Sequence, residues 1–283
     1  MKLNICTPRG VWNVPFVSSS YLVKRSILDN PEISYSCKIF DPEKAFAASL
    51  REQDIFMYVD SRFHYGYLVS ADNFDLSHVN NELYQVEENR YHFEQRYLHE
   101  NYSLYLQPNQ TLNQPCPDVY WFPLFKPRFC HELVAEAEAN GSWVTGAYND
   151  PVPTQDIHME YIGLGEMWDL MLKEYILPLV SGVFTGYEDT PHCPYKFVVR
   201  YRPDQQAFLR PHHDTATYTI NLALNNAKID YEGGGCRFIR YNCSVQDTRI
   251  GWILMHPGRL THYHEGLPVS KGTRYILVSF VDP

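Results

Sequence analysis

Between Lys196 and Val281 the chain runs Lys196-Phe197-Val198-Val199-Arg200-Tyr201, then Thr215 to Leu224, Gly235 to Tyr241, Gly251 to Met255 and Thr273 to Val281. Each run is short and rich in β-branched and aromatic residues, which fit a pleated, half-buried surface. Turn chemistry separates them: Glu232-Gly233-Gly234-Gly235, His256-Pro257-Gly258 and Lys271-Gly272. Many short strands at this spacing predict a sandwich, barrel or jelly roll. Upstream the character is different. Lys126 to Asn140 predicts a helix that stops at Asn140-Gly141, and Glu160 to about Leu177 predicts a second, with Met167, Leu170, Met171, Tyr175 and Ile176 as a core-facing stripe.

Further upstream still, Asp41-Pro42-Glu43 is an N-cap followed by proline, so a helix is expected toward Arg51. Asp54–Asp60 and Tyr65–Ser70 are expected strands; Asp60 and His64 read as surface or loop residues. The segment Gln107 to Pro117 is rich in Pro and Asn and poor in apolar periodicity. It reads as a linker, giving an expected division into residues 1–112, a partial α/β unit, and residues 113–283.

The chain has 283 residues, 45% of them hydrophobic, a composition that excludes wholesale disorder. Thirty-three acidic against 24 basic side chains give a formal charge of -9, which argues against nucleic acid and fits a cationic substrate better. No window is apolar for long enough to span a membrane. Seven cysteines allow one or two disulfides, and Asn-x-Ser/Thr sequons begin at Asn101, Asn109, Asn140 and Asn242. Both features point to a secretory compartment, reached as part of a longer precursor.

Five histidines fall inside the β segment: His212, His213, His256, His262 and His264. In Arg210-Pro211-His212-His213-Asp214, an extended backbone would put His212 and Asp214 on one face. A further imidazole from another strand completes a 2-His-1-carboxylate set for Fe(II), with His262 and His264 as candidates and His256 behind them. Zinc is the rival metal, disfavoured because the chain contains no Cys-x-x-Cys. In Thr273 to Val281, Arg274 shares a face with Ile276, Val278 and Phe280, so a guanidinium is drawn into a core. It needs an anionic partner and fits a carboxylate bidentately. An open-faced metal with a buried Arg beyond it, expected on a strand adjacent to that of His264, fits a dicarboxylate such as 2-oxoglutarate.

Four stretches, Tyr201-Arg202-Pro203-Asp204, Pro211-His212-His213-Asp214, Asp230 to Phe238 and His256 to Pro268, together with the ending Gly272 to Pro283, resemble the procollagen-lysine 5-dioxygenases, the lysyl hydroxylases. The resemblance is strong from Cys116 to Pro283 and looser over residues 1–112. It implies a mixed α and β protein: a double-stranded β-helix (jelly roll) with flanking helices, preceded by part of an α/β glycosyltransferase-like accessory domain. It also implies His212, Asp214 and His264 as iron ligands, Arg274 as the clamp on 2-oxoglutarate, and Tyr201 and Asn221 in the co-substrate pocket. Asn221 shares a polar face with Thr217 and Thr219. L-ascorbate as a restorer of oxidised iron, collagen or procollagen as substrate, a homodimer, the endoplasmic reticulum lumen and a Cys116–Cys243 disulfide follow from the same resemblance. An open groove with acidic residues near the metal is expected to receive the lysine ammonium. The rivals are another side-chain hydroxylation, such as that of proline, and a cupin-like module that binds without turnover.

Overall fold

Val198, Ile220, Leu222, Ile253, Met255 and Leu277 share one core cluster, whereas their neighbours Val199, Asn221, Leu254 and Ile276 line a cavity. This is the period-2 consequence of extended backbone: one face of a sheet takes a helical layer and the other faces inward. The computed structural model describes residues 10–18, 20–36, 38–62, 76–107, 110–146, 152–184, 186 and 191–283. The expected strand over Tyr65–Ser70 lies outside the described residues, as do His64 and Asn109.

The chain divides into two compact units, Met1–Asp72 and Asn73–Pro283. In the first, β1 (Val11–Val14) and β2 (Met57–Asp60) pair antiparallel, and α1 (Arg25–Leu28) and α2 (Pro42–Glu52) lie between them in sequence. Pro42 opens α2 as its sequence predicts, and Phe46 and Leu50 are buried on one side of it. Asp60 pairs with Arg62 at 2.8 Å, a surface role.

The second unit begins with α3 (Arg90–Tyr97) and continues with β3 (Asn113–Cys116), β4 (Val119–Pro123), α4 (Pro127–Asn140), β5 (Val144–Thr145), β6 (Gln155–His158), α5 (Gly165–Met171) and α6 (Leu177–Val180). The strands that follow are β7 (His192–Tyr201), β8 (Leu209–His212), β9 (Tyr218–Ala223), β10 (Tyr231–Gly233), β11 (Cys236–Phe238), β12 (Cys243–Val245), β13 (Trp252–Pro257), β14 (His264–Gly266), β15 (Val269–Gly272) and β16 (Arg274–Asp282).

An eight-stranded sheet in the order β3-β4-β13-β9-β16-β7-β6-β5 stands against a four-stranded sheet, β12-β11-β14-β8, with β10 and β15 as a separate pair. The ladders are antiparallel. This is the jelly roll. The helices cover the outer face of the large sheet: Phe129 and Leu133 of α4 and Trp168 of α5 are buried against it. Trp168 also donates its indole N–H to Ser279 Oγ at 2.8 Å, which satisfies both buried groups.

Three expectations change. The division falls after Asp72, not near residue 112, because Phe93, Tyr97 and Tyr102 pack in the same core as Phe125 and Phe129. The supposed linker contains β3, and Cys116 at its end is bonded to Cys243. The second helix starts at Gly165, after a left-handed Gly163, and passes through a π turn at Leu172–Ile176. The other helix runs Pro127–Asn140 and ends on Gly141 at φ 71°, as Asn-Gly predicts.

Candidate metal and co-substrate site

Two strands of the small sheet bring the imidazoles together. In the β14–β8 ladder His264 stands directly opposite His212, and their ring centres are 4.4 Å apart. Asp214 is not in the strand: β8 ends at His212, and the chain turns toward β9 with Asp214 just past the end. Asp214 Oδ1 nevertheless lies 3.3 Å from His212 Nε2, and Oδ2 lies 3.7 Å from His264 Nε2. One ligand atom from each of the three falls within 4.8 Å of the others.

The outer nitrogens fix the tautomers. Nδ1–H of His212 donates to the Arg210 carbonyl at 2.6 Å, and that of His264 to the His262 carbonyl at 2.8 Å. Each Nε2 is therefore left with a lone pair aimed at the same point, the arrangement that orients metal-binding imidazoles. Thr219 donates its hydroxyl to Asp214 Oδ2 at 2.5 Å, which fixes the carboxylate. Two neutral nitrogens and one anionic oxygen, presented from one side, suit a divalent first-row metal and leave its other side open.

Burial alone would raise the Asp214 pKa. The hydrogen bond from His212 and the nearby His264 and His256 outweigh it, so the carboxyl is held well below its usual range. Burial likewise lowers the basicity of His212, but the Asp214 carboxylate more than offsets this and its pKa is raised. For His264 burial dominates, and its pKa is lowered.

Arg274 sits in the opposite sheet. It is not on a strand next to that of His264, as expected; it pairs with Tyr201 in the β16–β7 ladder. It is 5% exposed; among the described residues its Nε has no hydrogen-bond partner, and the bond of its Nη1 to the Gly235 carbonyl is long at 3.5 Å. A buried guanidinium without an anion is costly, and an entering carboxylate would satisfy it. The glycine turn before β11 makes room: a Cβ on Gly234 would lie 2.9 Å from Arg274 Cδ.

A cavity of about 270 Å³ between the sheets joins these groups. His212, Asp214, His264, Arg274, Tyr201 and Asn221 all line it. Of the polar row read from the sequence, Thr219 and Asn221 face the cavity, while Thr217 turns away to Asp282. Sequence reasoning missed the Thr219–Asp214 bond; His256, read as standing behind the metal candidates, is buried with its Nε2 3.3 Å from Asn221 Nδ2. Five residues separate Thr219 from Asp214 across a turn, so no strand periodicity links them. His213 lines the cavity and packs tilted against Tyr263 with ring centres 4.9 Å apart, while His262 is buried against the Pro117 carbonyl. The expected acidic groove is not there among the described lining residues, where Asp214 is the sole carboxylate.

Residues 193–283 match the 2OG-Fe(II) oxygenase superfamily, and residues 74–189 match the OGFOD2-like domain. The jelly-roll strands from β7 onward, the His212–Asp214–His264 set and the buried Arg274 all lie within the segment that matches that superfamily. More closely, the chain is similar to the procollagen-lysine 2-oxoglutarate 5-dioxygenases. It is 50% identical over 283 residues to procollagen-lysine,2-oxoglutarate 5-dioxygenase of Drosophila melanogaster, covering 97% of this chain and 39% of that protein. It is 48% identical over 287 residues to the human procollagen-lysine,2-oxoglutarate 5-dioxygenase 1, with the same coverage of 97% and 39%. The chain thus spans about two fifths of the length of these relatives. Among solved structures, the Pseudomonas putida prolyl-4-hydroxylase aligns over 58% of this chain and 91% of its own, with a TM-score of 0.44 and 17% identity.

Proposed function

We propose that this chain hydroxylates peptidyl lysine of collagen at C5, with O2 and 2-oxoglutarate as co-substrates and succinate and CO2 as by-products. The observation that carries this is the pairing, in one cavity, of the His212–Asp214–His264 set with a buried Arg274 that has no anionic partner among the described residues. The relatives' names supply the substrate. When bound, Fe(II) supplies the activation of O2 coupled to 2-oxoglutarate decarboxylation.

The protein's own residues do the rest. His212 and His264 offer Nε2 and Asp214 an oxygen, each held by a bond on its far side. Arg274 takes the distal carboxylate of 2-oxoglutarate, with the Tyr201 ring beside it and Asn221 on the wall between. Val199, Leu254, Ile276 and Val278 keep the wall apolar, which limits water at the reacting centre. Ascorbate, a homodimer, glycosylated sequons and the lumen of the endoplasmic reticulum complete the reading. Residues 1–72 are read as part of an accessory glycosyltransferase-like domain.

Succinate release that depends on Fe(II), 2-oxoglutarate and a lysine-containing collagen peptide tests the proposal, with mass spectrometry locating the added oxygen. Oxygen on proline would replace lysine with the rival substrate, and no turnover with bound iron would leave a binding module.

A further inference from the structure

Asp214 lies between the end of β8 and the start of β9, so no ladder holds its backbone in place. What holds that segment is Asp282, at the far end of β16. Asp282 Oδ1 accepts from the Thr217 N–H at 2.8 Å and from the Thr217 hydroxyl at 2.6 Å. Arg259 binds the same carboxylate through Nη2, at 3.1 and 3.3 Å, and its Nε donates to the Thr215 carbonyl. From the other side the Gly258 N–H donates to the Thr217 carbonyl at 3.0 Å. The fit there is close enough to require glycine: a Cβ on Gly258 would meet the Ala216 carbonyl oxygen at 2.3 Å and Asp214 Cβ at 3.2 Å.

We propose that Asp282, with Arg259, is a positioning residue for the metal site: it fixes the Thr215–Thr217 segment and thereby the aim of Asp214. This rests on the iron-site reading above. A metal ligand must be held within about 0.5 Å of its productive place, and loss of the groups that orient a ligand typically weakens metal binding about 10–100-fold. Thr219 fixes one carboxylate oxygen, and the Asp282 clasp fixes the backbone that carries it.

The test is an anaerobic titration of the full chain with Fe(II) at saturating 2-oxoglutarate, followed by the charge-transfer band, and then with 2-oxoglutarate at saturating Fe(II). Asp282→Asn and Thr217→Val are expected to weaken Fe(II) about 10–100-fold while leaving 2-oxoglutarate affinity unchanged, because Arg274 is untouched. Thr217→Ser, which keeps the hydroxyl, is expected to bind iron as the parent does. Should Asp282→Asn fail to fold, Thr217→Val reads the same contact. Parent-like iron affinity in both variants overturns the inference, as does an equal loss of iron and 2-oxoglutarate affinity, which would mean general loosening. A parent protein without the band fails at the iron-site reading itself.

Discussion

Arg274 and Tyr201 stand opposite each other across the β16–β7 ladder, with the guanidinium carbon 5.7 Å from the centre of the tyrosine ring. The ring contact offsets part of the cost of burying a cation, but a π face is a weak substitute for an anion. The arginine is therefore poised for a carboxylate, and the Tyr201 hydroxyl beside it, its pKa pushed up to about 12 chiefly by burial, remains a neutral hydrogen-bond donor at physiological pH.

Arg274→Ala is expected to weaken 2-oxoglutarate by about 1.5–3 kcal/mol, the loss of a charged hydrogen-bond partner. It should leave Fe(II) binding nearly intact, since His212 and His264 lie on the other sheet and Asp214 just past its β8 strand. The same change removes an unsatisfied buried charge, so the ligand-free variant should melt no lower than expected for a simple cavity. Isothermal titration with 2-oxoglutarate and a melting curve check both; unchanged co-substrate affinity would remove Arg274 from its assigned role.

Asp214→Ala should abolish Fe(II) binding and all hydroxylation while keeping the far-ultraviolet circular dichroism of the parent. Two imidazoles alone lack the anionic donor, and Thr219 loses only an exchangeable acceptor. Metal content after dialysis is the measurement. Stoichiometric iron in the variant would show that the carboxylate is not a ligand.

The site was more legible in the sequence than the boundaries around it. Arg274 on the inward face of its strand follows from period-2 alternation, a local property that needs no partner to be read. The pairing of His212 with His264 is long-range: alternation puts His262 and His264 on one face, and the choice of His264 came from the resemblance. The first unit's end was not legible, because what binds residues 76–107 to the oxygenase part is packing of Phe93, Tyr97 and Tyr102 on Phe125 and Phe129, which are distant in sequence. The polar segment that reads as a linker is pinned by pairing and a disulfide, both long-range. Arg274 was put on the wrong neighbour for the same reason: spacing gives the reach of a chain but not which sheet it returns to.

Removal of the Cys116–Cys243 disulfide is expected to cost about 2–5 kcal/mol, since it closes a long loop and ties β3 to β12. Cys116 packs with Trp121, Phe238 and Val245 in a small cluster, the last two from the four-stranded sheet that also carries His212 and His264. Urea unfolding of Cys243→Ser against the parent, each with and without reductant, measures the cost. Only the parent should respond to the reductant; a reductant effect of equal size in the variant would assign it to other cysteines.

Metal-free protein should lose stability on acidification below about pH 6.5 because of His256. This ring is fully buried, and burial, reinforced by His264, pushes its pKa down to about 3 from 6.5. Between those values the unfolded chain takes up a proton that the folded chain refuses, so stability falls with pH by roughly 1 kcal/mol per pH unit from this group. His264, lowered by burial, acts in the same direction, and Asp214 joins only below its unfolded value of 3.8, where its depressed pKa makes the folded form lose ground. His212 opposes them: its raised pKa adds stability below 6.5 that is lost as pH rises through the folded value. Urea midpoints of the metal-free parent and of His256→Gln, taken from pH 6.5 to 4.5, isolate the His256 part. The parent should show the steeper loss, by roughly 1 kcal/mol per pH unit; parallel curves would mean that His256 takes its proton in the folded state.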